Sequence, residues 1–301
     1  MKPATSVSSV SSVSSVSSVS SVSSASSVSS ASSASSASSA SSASSAVSAP
    51  ALAPSSTSRG TRPKAHEPPA TFPGRWVGGV SLVVGPLLLL AGVLLRVRYD
   101  FFYPSQLRAY ERHPTLITTS YSAFGAGCVL LSPGIVLLAS RIARQRRELA
   151  LWGGTLAVLG LSARTFHAGV DHLAFQLAAQ EGAEAAIRTV GQAYGAFHVF
   201  STLNAAILGG WVLLALGAHR SGVLGPWRAL ALALTAVLPL GVLKGTSPGS
   251  FVAVAGLCLA LVPLGVSVLR SGPLPARRVA VGRLLLVGAA GTAMFLLGQA
   301  G

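Results

Sequence analysis

Charged residues are scarce in this chain, which has 22 Lys and Arg and 7 Asp and Glu among 301 residues. Only 10% of the residues are charged and 50% are hydrophobic, whereas a soluble domain carries about 25% charged residues. So few charges cannot cover the surface of a water-soluble fold. Apolar runs of about 20 residues, the length that crosses a bilayer as a helix, recur from Trp76 onward. The sequence therefore predicts an all-α fold, a polytopic transmembrane helix bundle in a lipid bilayer.

Cysteine is also scarce, and both cysteines, Cys128 and Cys258, fall inside apolar runs. They are expected to be small buried residues rather than a disulfide, a metal pair or a nucleophile. The formal charge of +15 raises the question of nucleic acid. Because the basic residues form short clusters between apolar runs, without interleaved aromatics, no nucleic-acid partner is expected. No nucleotide-binding, hydrolase or kinase motif is present, so no catalytic residue is assigned and an enzymatic activity stays open.

The chain divides into three parts. Residues 1–58 form a low-complexity tail of Ser, Ala and Val, residues 59–75 a basic Pro-rich linker, and residues 76–301 the transmembrane domain. The tail is predicted to be disordered, because its period of three matches neither helix nor strand and its small side chains cannot offset the ordering entropy. It is either a flexible cytoplasmic extension or a non-native extension from a start codon placed too far upstream.

About seven spans are predicted in the transmembrane domain. Their ranges are 76–96, 117–140, 149–170, 195–217, 227–243, 250–270 and 279–299. The fifth range is short and contains Pro239, and the seventh range, like the fifth, leaves open whether it is a full crossing. The first loop, residues 96–114, is rich in Tyr, Phe and Arg and is expected to hold a short amphipathic helix at the membrane surface.

Basic residues between the spans predict the orientation. One side of the bundle collects the following arginines: Arg141, Arg144, Arg146, Arg147, Arg220, Arg228, Arg270, Arg277, Arg278 and Arg283. Cytoplasmic loops carry such an excess, so the N-terminus is placed in the cytoplasm and the C-terminus outside. Four arginines of the first loop conflict with this placement: Arg96, Arg98, Arg108 and Arg112.

The candidate site lies in the stretch ARTFHAGVDHLAFQL, residues 163–177. If this stretch continues the third span as a helix, Arg164, His167 and Asp171 share one face with Phe175, whereas His172 points about 100° away. His198 in the fourth span lies at a similar depth and would meet His167 if the third and fourth spans are neighbours. These residues predict an outer-facing polar pocket between spans three and four.

Three interpretations of this cluster remain open. The first is a pocket for a small molecule or ion, in which Lys244 joins Arg164 to attract an anion such as a carboxylate or a phosphate headgroup. The second is a metal site, with a divalent ion such as Zn held by His167, Asp171 and His198. The third is an interfacial belt, in which Arg164 and Asp171 satisfy each other and Lys244 reaches to the headgroup level.

Several runs carry a family resemblance: RYDFFYPSQLRAYERHP, LALWGGTLAVLGLSARTFHAGVDHLAFQLA, YGAFHVFSTLNAAILGG and VLKGTSP. Over roughly residues 76–250 the chain is similar to uncharacterised multi-pass integral membrane proteins of actinobacterial type. The resemblance implies a bacterial plasma membrane and brings no known activity. Seven-span hydrolases that resemble alkaline ceramidases hold zinc with an HxxxH pair in the last span, and residues 279–299 contain no histidine. Function is thus expected to be binding or transport of a small molecule or ion, with a metal-dependent membrane hydrolase and a non-catalytic component of a partner complex as alternatives.

Overall fold

A computed structural model of the chain describes residues 72–239, 241–273 and 276–299. Within these ranges the chain forms α-helices and one short 3-10 helix and contains no strand, which confirms the all-α fold. The predicted tail, residues 1–58, and most of the linker lie outside the described residues. The helices are α1 (Arg75–Leu95), α2 (Tyr103–Arg112), α3 (Pro114–Ala143), α4 (Arg147–Glu181), α5 (Ala183–Ala193), α6 (Val199–Arg220), α7 (Pro226–Ala233), α8 (Pro248–Arg270) and α9 (Arg277–Gln299), with the 3-10 helix at Leu234–Val237.

Six of these helices, α1, α3, α4, α6, α8 and α9, are long and apolar enough to cross a membrane. Five of them pack with α7 in a ring, in the cyclic order α1, α3, α4, α6, α7, α8. α9 packs against no other described element, and none of its described residues is buried. The chain is therefore a multi-pass membrane protein built as a helix bundle.

Small residues bring the ring helices close together, most clearly where α4 meets α6. A Cβ on Gly160 would collide with Ile207, and a Cβ on Gly210 would lie 2.5 Å from the backbone nitrogen of Ala157. Such backbone approach is how small residues stabilise helix pairs in lipid, where no hydrophobic force drives them together. Spans three and four of the sequence, now α4 and α6, are neighbours as the His198 hypothesis required.

The two ends of the ring differ in their connections. The basic end holds the start of α1, the connection between α3 and α4, and the end of α6, where Gly217 packs against Ile142 and Leu149. The loop end holds α2, α5 and the connection of residues 241–247. α2 is the helix expected in the first loop, and it packs against α3, α4 and α5. A second small core joins these elements around Leu107, Tyr110 and Phe175.

The fifth range, whose full crossing the sequence left open, is not one continuous helix. The α7 and 3-10 helices together rise only about 20 Å, and the backbone turns extended at Leu238, with φ −65° and ψ 122°. Pro239 explains the break, because proline lacks an N–H and disfavours helical backbone at the residue before it. The segment still passes from the end of α6 at the basic end to Leu243 at the loop end. We call residues 226–243 the broken span.

Candidate functional site

One face of α4 carries the candidate site, as its helical phase predicts. Arg164, His167, Asp171 and Phe175 are all buried, whereas His172 is exposed. α4 continues unbroken to Glu181, so the four buried residues do lie along one stripe of a single helix. The structure therefore brings together three of the predicted site residues and separates them from His172.

Arg164 binds the backbone of the broken span. Its Nη1 donates to the carbonyl oxygen of Pro239 and its Nη2 to that of Leu238, both at 3.0 Å. These carbonyls have lost their helical partners because the helix stops before them, and an unpaired carbonyl is costly inside a membrane protein. The guanidinium thus closes the end of the broken helix, where the dipole also favours a positive charge.

Asp171, two turns further along α4, holds the other side of the break. Its Oδ1 accepts a hydrogen bond from the backbone N–H of Leu243. Leu243 has φ 50°, a left-handed conformation that is rare for a residue other than glycine, Asn or Asp. Arg164 and Asp171 do not pair with each other, since the only ion pair among the described residues joins Arg108 to Glu184. The interfacial pairing considered for Arg164 and Asp171 is thus replaced by three hydrogen bonds with the broken span.

Arg96 lies directly after α1. From the sequence it was interpreted only as a charged residue of the first loop. It is 4% exposed, and its guanidinium carbon lies 4.4 Å from the ring centre of Tyr121 and 4.9 Å from that of Phe124. Its Nε and Nη1 are buried and have no hydrogen-bond partner among the described residues. A buried charge without a partner is costly, although the aromatic faces recover part of the cost.

Lys244 lies in the connection between the broken span and α8. Its ammonium nitrogen lies 5.2 Å from the ring centre of Phe101, 5.7 Å from Phe102 and 5.3 Å from Tyr194. The Tyr121 hydroxyl lies 3.2 Å from the Lys244 carbonyl oxygen, one of its acceptors. Two aromatic residues of the first loop and Tyr194 after α5 thus surround this lysine.

These side chains surround a cavity inside the ring, at the loop end. The cavity has a volume of about 40 Å³, enough to hold water or a small anion. The polar side chains on its wall are those of Arg96, Tyr121, Arg164, His167, Asp171, Lys244 and Ser250. Toward the basic end, buried apolar side chains such as Leu131 and Leu257 fill the bundle. The cavity therefore lies among α1, α3, α4 and the broken span, rather than between α4 and α6 as expected.

His198 stands outside the cavity wall. It is the residue before α6, and its ring centre lies 5.9 Å from that of His167 in an edge-to-face arrangement. Its Nδ1 is buried without a partner among the described residues. Within the described residues no three His, Cys, Asp or Glu side chains are placed to hold a metal ion. The proposed ligands His167, Asp171 and His198 therefore do not converge on one point in this structure.

Two residues of the cavity wall, Arg96 and Tyr121, were missed as site residues. A signal was present for each, because Arg96 ends an apolar run and Tyr121 interrupts one. An ionisable or polar residue at such a position is a reason to look for a site. Their meeting with α4 depends on the packing of α1 and α3, which the sequence alone does not give.

Fold and site together define a class: a multi-pass α-helical membrane protein with a broken span and a buried cationic cavity at one end. Comparison of the chain with protein-family models, with curated proteins and with solved structures finds no match.

Proposed function

We propose that the protein binds a small anion in the cavity at the loop end, as the binding step of transport across the bacterial plasma membrane. The observation that carries this proposal is the buried Arg96 guanidinium, with two nitrogens unpartnered, facing a cavity that Arg164 and Lys244 also line. Three positive groups and one carboxylate leave the wall with excess positive charge. An anion that enters relieves the repulsion among the cations and gives Arg96 an acceptor.

The broken span supports transport rather than binding alone. In many transporters the substrate binds beside discontinuous helices, whose unwound backbone forms part of the site. Here the unwound residues Leu238 and Pro239 line the cavity. The apolar core below the cavity closes the path in this conformation, so movement of the broken span is the step that would open it.

The binding proposal is tested by calorimetric titration of purified protein in phospholipid-free detergent with sodium phosphate, acetate and chloride. Arg96→Gln is expected to weaken anion binding about tenfold, the effect of losing one charged hydrogen bond. Arg98→Gln removes an exposed arginine two residues away and should leave affinity unchanged. Absence of saturable binding by the wild-type protein, or equal affinity in Arg96→Gln, would contradict the proposal.

Transport is tested in proteoliposomes loaded with buffer and exposed to radiolabelled phosphate or acetate. Wild-type protein should give uptake above empty liposomes, and Arg96→Gln should reduce it while Arg98→Gln does not. Binding without flux would refute the transport step and leave the binding site.

The orientation is part of the same proposal, with the loop end outside the cell and the N-terminus in the cytoplasm. Single cysteines at Glu184 in the loop end and Arg144 in the basic end, introduced after Cys128→Ala and Cys258→Ala, are labelled on intact bacteria with a membrane-impermeant maleimide. Glu184→Cys should react and Arg144→Cys should not. The opposite pattern would reverse the orientation.

A further inference from the structure

Among the described residues, Asp171 is the only acidic side chain on the wall of the cavity. Its Oδ1 is used by the Leu243 N–H, which leaves Oδ2 for a ligand. A carboxylate is unexpected in a site that only binds an anion, because it repels the negative charge that Arg96 and Lys244 attract. Asp171 and the three cations line the same small cavity.

An anion that carries a proton resolves this conflict. Its charged oxygens accept hydrogen bonds from the guanidinium of Arg96, and its O–H donates to Oδ2 of Asp171. A fully deprotonated anion of the same shape has no such donor and leaves two groups of negative charge in contact. A site with a buried acceptor rejects a ligand that lacks the matching donor, since the acceptor is then left unpaired.

We propose that Asp171 makes the cavity selective for oxyanions that keep a proton near neutral pH, of which phosphate and bicarbonate are the simplest. This inference rests on the anion site proposed above and adds its substrate class. Arg96 supplies donors, Arg164 and Lys244 supply positive charge, and Asp171 is the specificity-determining acceptor. The charge of the ligand and its proton are thus recognised by different walls of one cavity.

Matched pairs of anions test the proposal on the wild-type protein in phospholipid-free detergent at constant ionic strength. Phosphate and sulfate share a tetrahedral shape, and bicarbonate and nitrate a planar one, but only the first of each pair carries a proton. The wild-type protein should prefer phosphate over sulfate, and bicarbonate over nitrate, by about tenfold or more. Equal affinities within both pairs would overturn the selectivity while leaving the anion site intact. No binding of any of the four would overturn both proposals.

Asp171→Asn is the decisive variant, because the amide oxygen still accepts the Leu243 N–H while the amide nitrogen adds a donor. It should raise sulfate affinity and bring the phosphate to sulfate ratio close to one. Glu184→Gln removes an exposed acid of the loop end and should keep the wild-type ratio. A full phosphate preference in Asp171→Asn would refute the role of Asp171.

A phosphomonoester lipid offers the same protonated headgroup as inorganic phosphate. Competition against labelled phosphate with short-chain phosphatidic acid therefore separates the two sources. Because the helices close a ring around the cavity, free phosphate should compete and the lipid should not. A lipid that competes better than free phosphate would overturn the free ion as the ligand.

Discussion

Replacement of Arg164 by methionine tests whether the guanidinium holds the broken span together. Arg164→Met keeps much of the side chain's length and apolar contact but removes both donors, at 3.0 Å from the carbonyl oxygens of Leu238 and Pro239. Hydrogen bonds to a charged group contribute about 1.5–3 kcal/mol each. Part of this is returned because a buried charge is no longer desolvated, which leaves a net loss of about 3 kcal/mol.

The loss should appear both globally and locally. At about 2–4 °C per kcal/mol for a domain of this size, the unfolding midpoint in detergent should fall by roughly 6–12 °C. Hydrogen exchange should quicken in residues 241–247, since Leu243 belongs to the same broken span that Arg164 holds in place. Arg188→Met, at an exposed position of α5, is the matched control and should change neither quantity. A wild-type midpoint and wild-type exchange in Arg164→Met would refute the structural role of Arg164.

Two further substitutions test the packing that places the cavity. Gly160→Val puts a branched side chain against Ile207 and should cost about 3 kcal/mol or prevent folding. Gly169→Ala, on the same helix with open space around it, should melt like the wild type. Equal melting of both variants would contradict the close contact of α4 with α6. Ser247→Ala removes the side chain that accepts the Ser250 N–H at the start of α8 and should cost about 1 kcal/mol. The loss should appear as a lower melting temperature and as faster hydrogen exchange in the first turn of α8. Unchanged exchange there would show that this cap is dispensable.

The face of α4 could be derived from the sequence because a helix repeats every 3.6 residues. That rule alone grouped Arg164, His167 and Asp171 and set His172 apart, and the burial of each side chain follows it. The same rule says nothing about which other helix a face meets. Arg96 therefore stayed a loop charge, and His198 was placed in a site whose wall it does not join.

Pro239 is a second case in which the sequence alone did not determine the structure. The apolar run around it satisfies the length rule for a span, and proline within a run is tolerated in many membrane helices. Whether the helix bends or breaks depends on what accepts the freed backbone groups. Here Arg164 donates to the freed carbonyls and Asp171 accepts the Leu243 N–H, both from α4, so the break is stable only in the folded bundle.

By itself the sequence determined the all-α membrane class and the polar stripe of α4, because hydropathy and helical phase are properties of a local stretch of chain. The broken span, the unpartnered Arg96 and the cavity that both enclose were decided by tertiary structure. Each depends on residues far apart in sequence, and only the packing of α1, α3, α4 and residues 226–243 brings their charges within reach of one another.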